Sequence, residues 1–469
     1  METKLVFHGS IIHSVAENKA ELIENGLLVV EEGRVKSLSS GVEAKDTAKT
    51  LSELGFDGST ERVKFLKKGE FLIPGFIDTH NHAPQWGQRG LGRGLQILDW
   101  LDKITFPNES KFEDTAYARK MYDSCVDGFI RQGVTTASYY GSLHGPASKI
   151  LADICLAKGQ RALVGKCNMN RNSPDYYRDS STEESLQVTE DFIRHVRTID
   201  PNFEIVRPIL TPRFAISCEP ELLAGLGEMA ARNTDIPIQT HFNEAESEIA
   251  ATLSLFPQFS NEADLYEHYG LLTDRSILAH CTHMTEYEFD RLQALKCGVA
   301  HCPIANTTVG GGFMAAPIRV YLRRGIKVGL GTDSGGGFSS SILDAMRQAF
   351  IVSNAREMMT KGAEPSLTLH ECFYLATLGG ARVCGLDKDV GNFEIGKDFD
   401  ALVINTVDDK LKGVVTMIEE DDALEVIFEK FLMSGDDRNI AEVCHYRFET
   451  DIYKGYFESV AKFACRITK

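Results

Sequence analysis

The apolar run FLIPGFI ends in Asp78, Thr79, His80, Asn81 and His82, and continues into Pro84 and Gln85. Successive side chains of a strand alternate faces, so His80 and His82 point the same way. Two imidazoles on one side of a strand end can both reach one metal ion at about 2.0–2.1 Å. Alone, a His-x-His pair reads more readily as two unrelated polar loop residues. Other apolar runs in the chain end in the same kind of residue. THFNE brings His241 and Glu244, AHCTH brings His280 and His283, and GTDSGGG brings Asp333. Two or three imidazoles with a carboxylate suit Zn²⁺, with iron as the alternative.

Something must carry these residues to one place. From residue 71 onward, short apolar runs alternate with longer segments of helical periodicity, such as TAYARKMYDSCVDGFIRQ and PELLAGLGEMAARN. Eight runs read as strands: FLIPGFIDTH, TTASYYGS, RALVGKCN, EIVRPILTP, IPIQTHF, SILAHCTH, GVAHCPIA and KVGLGTDS. Strands apolar on both faces imply a parallel sheet. Eight βα units predict an α/β fold of the TIM type, a (β/α)8 barrel whose active site sits at the C-terminal strand ends. The candidate ligands fall at those ends, on strands one, five, six and eight. A two-metal barrel site would want a bridging lysine after strand four; LTPRFAISC offers Arg213 there, so one ion is expected.

Before and after this region the pattern is β-rich. The first 70 residues, with LVFHGSIIHSV and GLLVVEEGRVKSL, predict half of a small β domain, and VGNFEIGKDFDALVINT supplies the other half. The expected division is 1–70 for the N-terminal part of the small β domain and 71–385 for the barrel with trailing helices. Residues 386–469 form a C-terminal β segment with a closing helix.

The bulk properties exclude several classes. A chain of 469 residues exceeds one ordinary core of roughly 250–300 residues, which fits a barrel with an attached unit. A formal net charge of -17 repels phosphate backbones, so no nucleic-acid partner is expected. No apolar run reaches the roughly 20 residues of a membrane-spanning helix, and no signal segment opens the chain. The eleven cysteines have no CxxC or framework spacing; most read as buried, reduced thiols, and the cytoplasm is expected. The H-x-E with P-C-x-x-C pattern of cytidine-type deaminases is missing. HECFY at 370–374 has Tyr374 where a zinc protease needs its second histidine. The GGG runs at 310–312 and 335–337 do not fit a phosphate loop and read as turns.

PGFIDTHNHAPQ, LDWLDKITFPNE, LTPRFAISC, THFNE, AHCTHMTE, AHCPIAN and GLGTDSGGG together resemble the guanine deaminases of the amidohydrolase superfamily, over nearly the whole chain. The resemblance implies a zinc ion, one per chain, on His80, His82, His241 and Asp333. It places His280 beside the metal and its water, and makes Glu244 the proton shuttle, with His280 and Asp333 as its catalytic partners. Gln85, Arg213, Phe214, His241 and Glu244 would face the purine. The implied reaction is hydrolysis of guanine to xanthine and ammonia, by a homodimer. His283 reads as structural, Cys302 as a buried thiol, and His301 equally as pocket rim or packing. Ile304, Ala305, Ser334 and Gly335 depart from the family pattern and bear on the pocket wall, not on the ligands. Two rival readings stay open: the same machinery acting on another aminated heterocycle, and a barrel kept as a non-catalytic scaffold.

Overall fold

The computed structural model describes residues 4–60, 63–310, 312, 314–407, 418–444 and 465–467. The C-terminal stretch 445–464, part of the expected closing segment, lies outside the described residues.

Five strands come first: β1 (Lys4–Ala16), β2 (Lys19–Glu31), β3 (Arg34–Ser39), β4 (Val63–Phe65) and β5 (Glu70–Pro74). The inner strands follow. They are β6 (Phe76–His82), β7 (Val134–Tyr140), β8 (Arg161–Gly165), β9 (Cys167–Asn168), β10 (Val206–Pro208) and β11 (Thr211–Pro212). Then come β12 (Ile238–Phe242), β13 (Ser276–His280), β14 (Gly298–His301) and β15 (Lys327–Leu330). Three more, β16 (Ala401–Asn405), β17 (Ile440–Cys444) and β18 (Cys465–Ile467), close the order.

Strands from both ends of the chain share one sheet, ordered β18-β17-β16-β5-β1-β2-β3 with β4 beside β1. Its link between the two ends is the antiparallel pair β5–β16, in which Leu72 faces Val403. Phe7, Ile11, Leu28, Val30, Leu72, Phe399 and Val403 pack into one cluster on this sheet.

The run FLIPGFIDTH, expected as one strand, is two. Gly75 breaks it: β5 joins the outer sheet and β6 the inner one. A Cβ at Gly75 would stand 2.1 Å from Thr135 Oγ1, so only glycine lets the chain pass β7 this closely.

The inner strands form two parallel arcs, β6-β7-β8-β10 and β12-β13-β14-β15, with β9 and β11 as a separate pair. Every residue of β7 and β12 is buried, as strands covered on both faces require. The regular ladder does not run unbroken around eight strands, as a plain barrel reading expects. Between β10 and β12 it shrinks to a single bridge, Leu210–Ile238. Pro208, Pro212 and Pro237 lie at this junction and bring no N–H to it. Between β15 and β6 a side chain replaces the ladder. The buried Asp78 carboxylate accepts from Thr332 Oγ1 at 2.6 Å, Thr332 N at 3.0 Å and His80 N at 3.2 Å.

Helices pack outside the arcs. Thr115–Arg131 is capped by Asp114, whose side chain accepts from Ala116 N and Tyr117 N. Its apolar stripe of Ala118, Tyr122, Cys125, Val126, Phe129 and Ile130 is buried. Among the described residues nine cysteines are buried free thiols, Cys302 among them, as expected of most, and Cys444 is disulfide-bonded. Among the described residues no helix is long and apolar enough to cross a membrane.

Candidate active site

Four chain segments deliver the site at the C-terminal ends of the inner strands. β6 ends in His80 and His82, β12 carries His241, β13 ends in His280, and Asp333 follows β15. The backbone is held in unusual shapes there. His280, Cys281, Asn243 and Asp333 all have positive φ (73°, 47°, 47° and 43°), a region L residues rarely adopt and one that tends to mark functional sites. Asp333 N donates to His80 O at 2.9 Å, which locks the last segment onto the first.

The ring nitrogens converge. His82 Nε2 stands 3.2 Å from His241 Nε2. Asp333 Oδ1 lies 3.4 Å from His80 Nε2 and 3.5 Å from His82 Nε2. His241 Nδ1 donates to Arg213 O at 2.7 Å, so its Nε2 carries a bare lone pair towards His82. His280 Nδ1 donates to Asn306 Oδ1 at 2.8 Å, which likewise leaves Nε2 bare. The Nε2 atoms of His80 and His280 are buried without a hydrogen-bond partner. Burial pulls all four imidazoles below their usual pKa, His82 and His241 most strongly. Burial pushes Asp333 the other way, but the close approach of His80 and the other histidines holds it well below the carboxylate range. Neutral imidazoles with inward lone pairs beside an ionised carboxylate are an acceptor cage. Two groupings have ligand atoms all within 4.8 Å of one another: His80, His82 and Asp333, and His80, His241 and His280. This donor set fits a divalent cation such as zinc.

Beside the cage opens a cavity of about 470 Å³, counted out to its mouth. His82, His241, Asp333, Gln85, Arg213, Phe214 and Glu244 all line it, with Trp100, Leu101 and Glu248. Glu244 Oε1 stands 3.6 Å from His280 Nε2. Burial, reinforced by Asp333, raises the Glu244 carboxyl well above its usual pKa, which favours its protonated form. Phe214 is buried in an aromatic wall with Trp100, Phe106, Tyr140 and Tyr177.

His283 is half-buried and joins neither ligand grouping. His301 does not line this cavity; it borders a smaller one with Ser353, Arg356 and Glu364. Gly335 and Gly336 do come to the site: a Cβ on Gly336 would meet Asp333 Oδ2 at 2.3 Å. Arg93 Nη2 donates to Gly335 O at 3.2 Å and holds this loop. Sequence reasoning did not single out Arg93, Asn306, Glu248 or Glu109. Arg213 is paired with Glu109, Nη1 to Oε2 at 2.7 Å. Only the position of Glu109 in TFPNE hinted at it, since its partners are remote in the chain.

Comparison with known proteins identifies the family. The model of the amidohydrolase family matches residues 71–438. The chain is 39% identical over 442 residues to a guanine deaminase of Dictyostelium discoideum, covering 93% of this chain and 96% of that protein. It is 40% identical to the guanine deaminase of Rattus norvegicus over 446 residues, 94% of this chain and 95% of that one. The crystal structure of guanine deaminase from C. acetobutylicum with bound guanine in the active site superposes with a TM-score of 0.85. That match has 32% identity and covers 95% of this chain and 99% of the other. The chain belongs to the amidohydrolase family, and the relatives it covers almost end to end are guanine deaminases.

Proposed function

We propose that this protein hydrolyses guanine at C2, giving xanthine and ammonia. The observation that carries the reading is the joining of the histidine–aspartate cage, through the shared wall of one cavity, to Arg213, Gln85 and the buried Glu244. His80, His82, His241 and Asp333 would hold one zinc ion per chain, with iron as the alternative. When bound, such an ion lowers the pKa of water towards about 7 and so supplies hydroxide at neutral pH.

The chain's own groups do the rest. Arg213 has only donors and serves the carbonyl side of the ring; Gln85 serves the neighbouring ring nitrogen. Phe214 packs on the ring face. As the water oxygen adds to C2, Asp333 accepts a water proton and Glu244 gives its proton to N3. His280, oriented by Asn306, turns its bare Nε2 to the same space and helps align the water. Asp333 then protonates the amine, the C2–N bond breaks, and ammonia leaves. As the C2 carbonyl forms, Glu244 takes back a proton from its oxygen, and both carboxyls return to their starting states.

In this reading the two arcs are one (β/α)8 barrel spanning residues 71–385. The mixed-end sheet is a small β domain built from 1–70 and 386–469. A homodimer is proposed from the family resemblance, and a cytoplasmic location from the buried free thiols. The test is to supply guanine to metal-replete protein and follow xanthine and ammonia together. Equal release of both, abolished by a chelator and restored by zinc, supports the reading. Metal-loaded protein that releases neither sinks it.

A further inference from the structure

Arg213 and Gln85 are both fixed by one carboxylate. Glu109 ends the short helix Phe106–Glu109 and has no exposed surface. Its two oxygens accept four hydrogen bonds from three distant segments. Arg213 Nη1 and Nη2 donate at 2.7 and 3.2 Å, Tyr177 OH at 2.7 Å and Gln85 Nε2 at 2.8 Å. A carboxylate in this ion pair accepts only, so the end of the Gln85 amide that meets it is the NH2. The amide orientation follows: Oε1 is left buried with no hydrogen-bond partner. Gly335 keeps room beside that oxygen, since a Cβ there would stand 2.1 Å from it.

We propose that Glu109 is a positioning residue that sets the hydrogen-bond polarity of the purine pocket. It presents Arg213 as donor and Gln85 Oε1 as acceptor, so that the pocket selects a 6-oxopurine over a 6-aminopurine. The proposal rests on the function given above. A 6-oxopurine shows an acceptor, O6, beside a donor, N1–H. A 6-aminopurine shows the reverse, an N–H2 donor beside a bare N1. Against the wrong edge the buried polar groups of the pocket go unpaired, the condition under which sites discriminate most strongly. Arginine cannot invert its pattern because it has no acceptor. Glutamine inverts by a half-turn of its amide, and the Glu109 tether is what forbids that turn.

The test is direct calorimetric binding of hypoxanthine and adenine to the metal-loaded enzyme; both lack the 2-amino group that the reaction removes. The wild type is expected to prefer hypoxanthine by about a hundredfold or more. Glu109→Gln, nearly isosteric but uncharged, is expected to bring the two affinities within about tenfold of each other. Glu109→Asp keeps the charge on a shorter arm and is expected to fall between. Equal weakening of both ligands in Glu109→Gln, with the ratio intact, overturns the proposal, because a wall support would act on both alike. Should Glu109→Gln not fold, Glu109→Asp decides: an undiminished ratio overturns the proposal and a reduced one supports it. Guanine turnover is scored separately on the same preparations. Its absence from the wild type would sink the proposed reaction and still leave the binding ratio to judge Glu109.

Discussion

Replacing Glu244 by glutamine separates proton transfer from architecture. Glu244 is 6% exposed. Its backbone is held from outside the carboxyl: its N–H donates to Glu248 Oε2 at 3.3 Å, and its carbonyl accepts from Thr282 Oγ1. Burial raises the carboxyl's pKa well above its usual value and so favours a neutral resting side chain. Glutamine is the same size and also neutral, and stability should stay within about 1 kcal/mol. Neither ligand grouping contains Glu244, so metal content should hold. What disappears is the exchangeable proton. A positioned acid–base group contributes a factor of about 10²–10⁴, or roughly 2.7–5.5 kcal/mol of barrier. The assay is the rate of ammonia and xanthine release at saturating guanine, with metal content and unfolding midpoint measured on the same sample. A Glu244→Gln enzyme within tenfold of the wild-type rate would refute the shuttle role. A loss of rate that tracks a loss of metal would refute it too, by moving Glu244 into the ligand set.

Other perturbations follow from the same geometry. His82→Ala removes a ring nitrogen 3.2 Å from His241 Nε2 and should weaken metal affinity by more than about a hundredfold, along with the rate. Full occupancy by elemental analysis would take His82 out of the cage. Asp78→Asn replaces a carboxylate that bridges Thr332 and His80 by a group with one acceptor oxygen, and should cost about 2–3 kcal/mol in urea unfolding; an unchanged midpoint would show that the β6–β15 seam stands without it. Glu248 is raised by burial to about 7 from 4.5. It keeps its proton in the folded chain and loses it in the unfolded one above about 4.5. Its contribution is therefore complete below about pH 4.5 and lost as pH rises through about 7, up to about 3 kcal/mol. Stability measured across that window should fall with rising pH, and Glu248→Gln should flatten the slope; a slope that survives the substitution belongs to other groups.

The inner strands were legible because each is a continuous apolar run, and burial on both faces leaves little choice of composition. Their breaks were less so. The split of FLIPGFIDTH at Gly75 depends on how near β7 passes, which only Thr135 in place reveals. The thinning of the ladder at Leu210–Ile238 had a sequence signal in Pro208, Pro212 and Pro237, but a proline shows only where an N–H is missing, not which neighbour goes without it. The sheet shared by both chain ends was expected from β character alone; its register, Leu72 against Val403, was not.

By itself the sequence determined the chemistry on offer: imidazoles, carboxylates, an arginine and a glutamine, placed where strands of a parallel sheet end. Those residue types follow from what a metal and a polar ring require, and their order along the chain follows from one turn of the fold per strand. Only the tertiary structure decided which groups act together. Glu109 meets Arg213, Tyr177 and Gln85 across 104, 68 and 24 residues of chain, and Asp78 meets Thr332 across 254. Charge pairing in a buried site is set by distance in space and by what else excludes water, and neither quantity is written in local sequence.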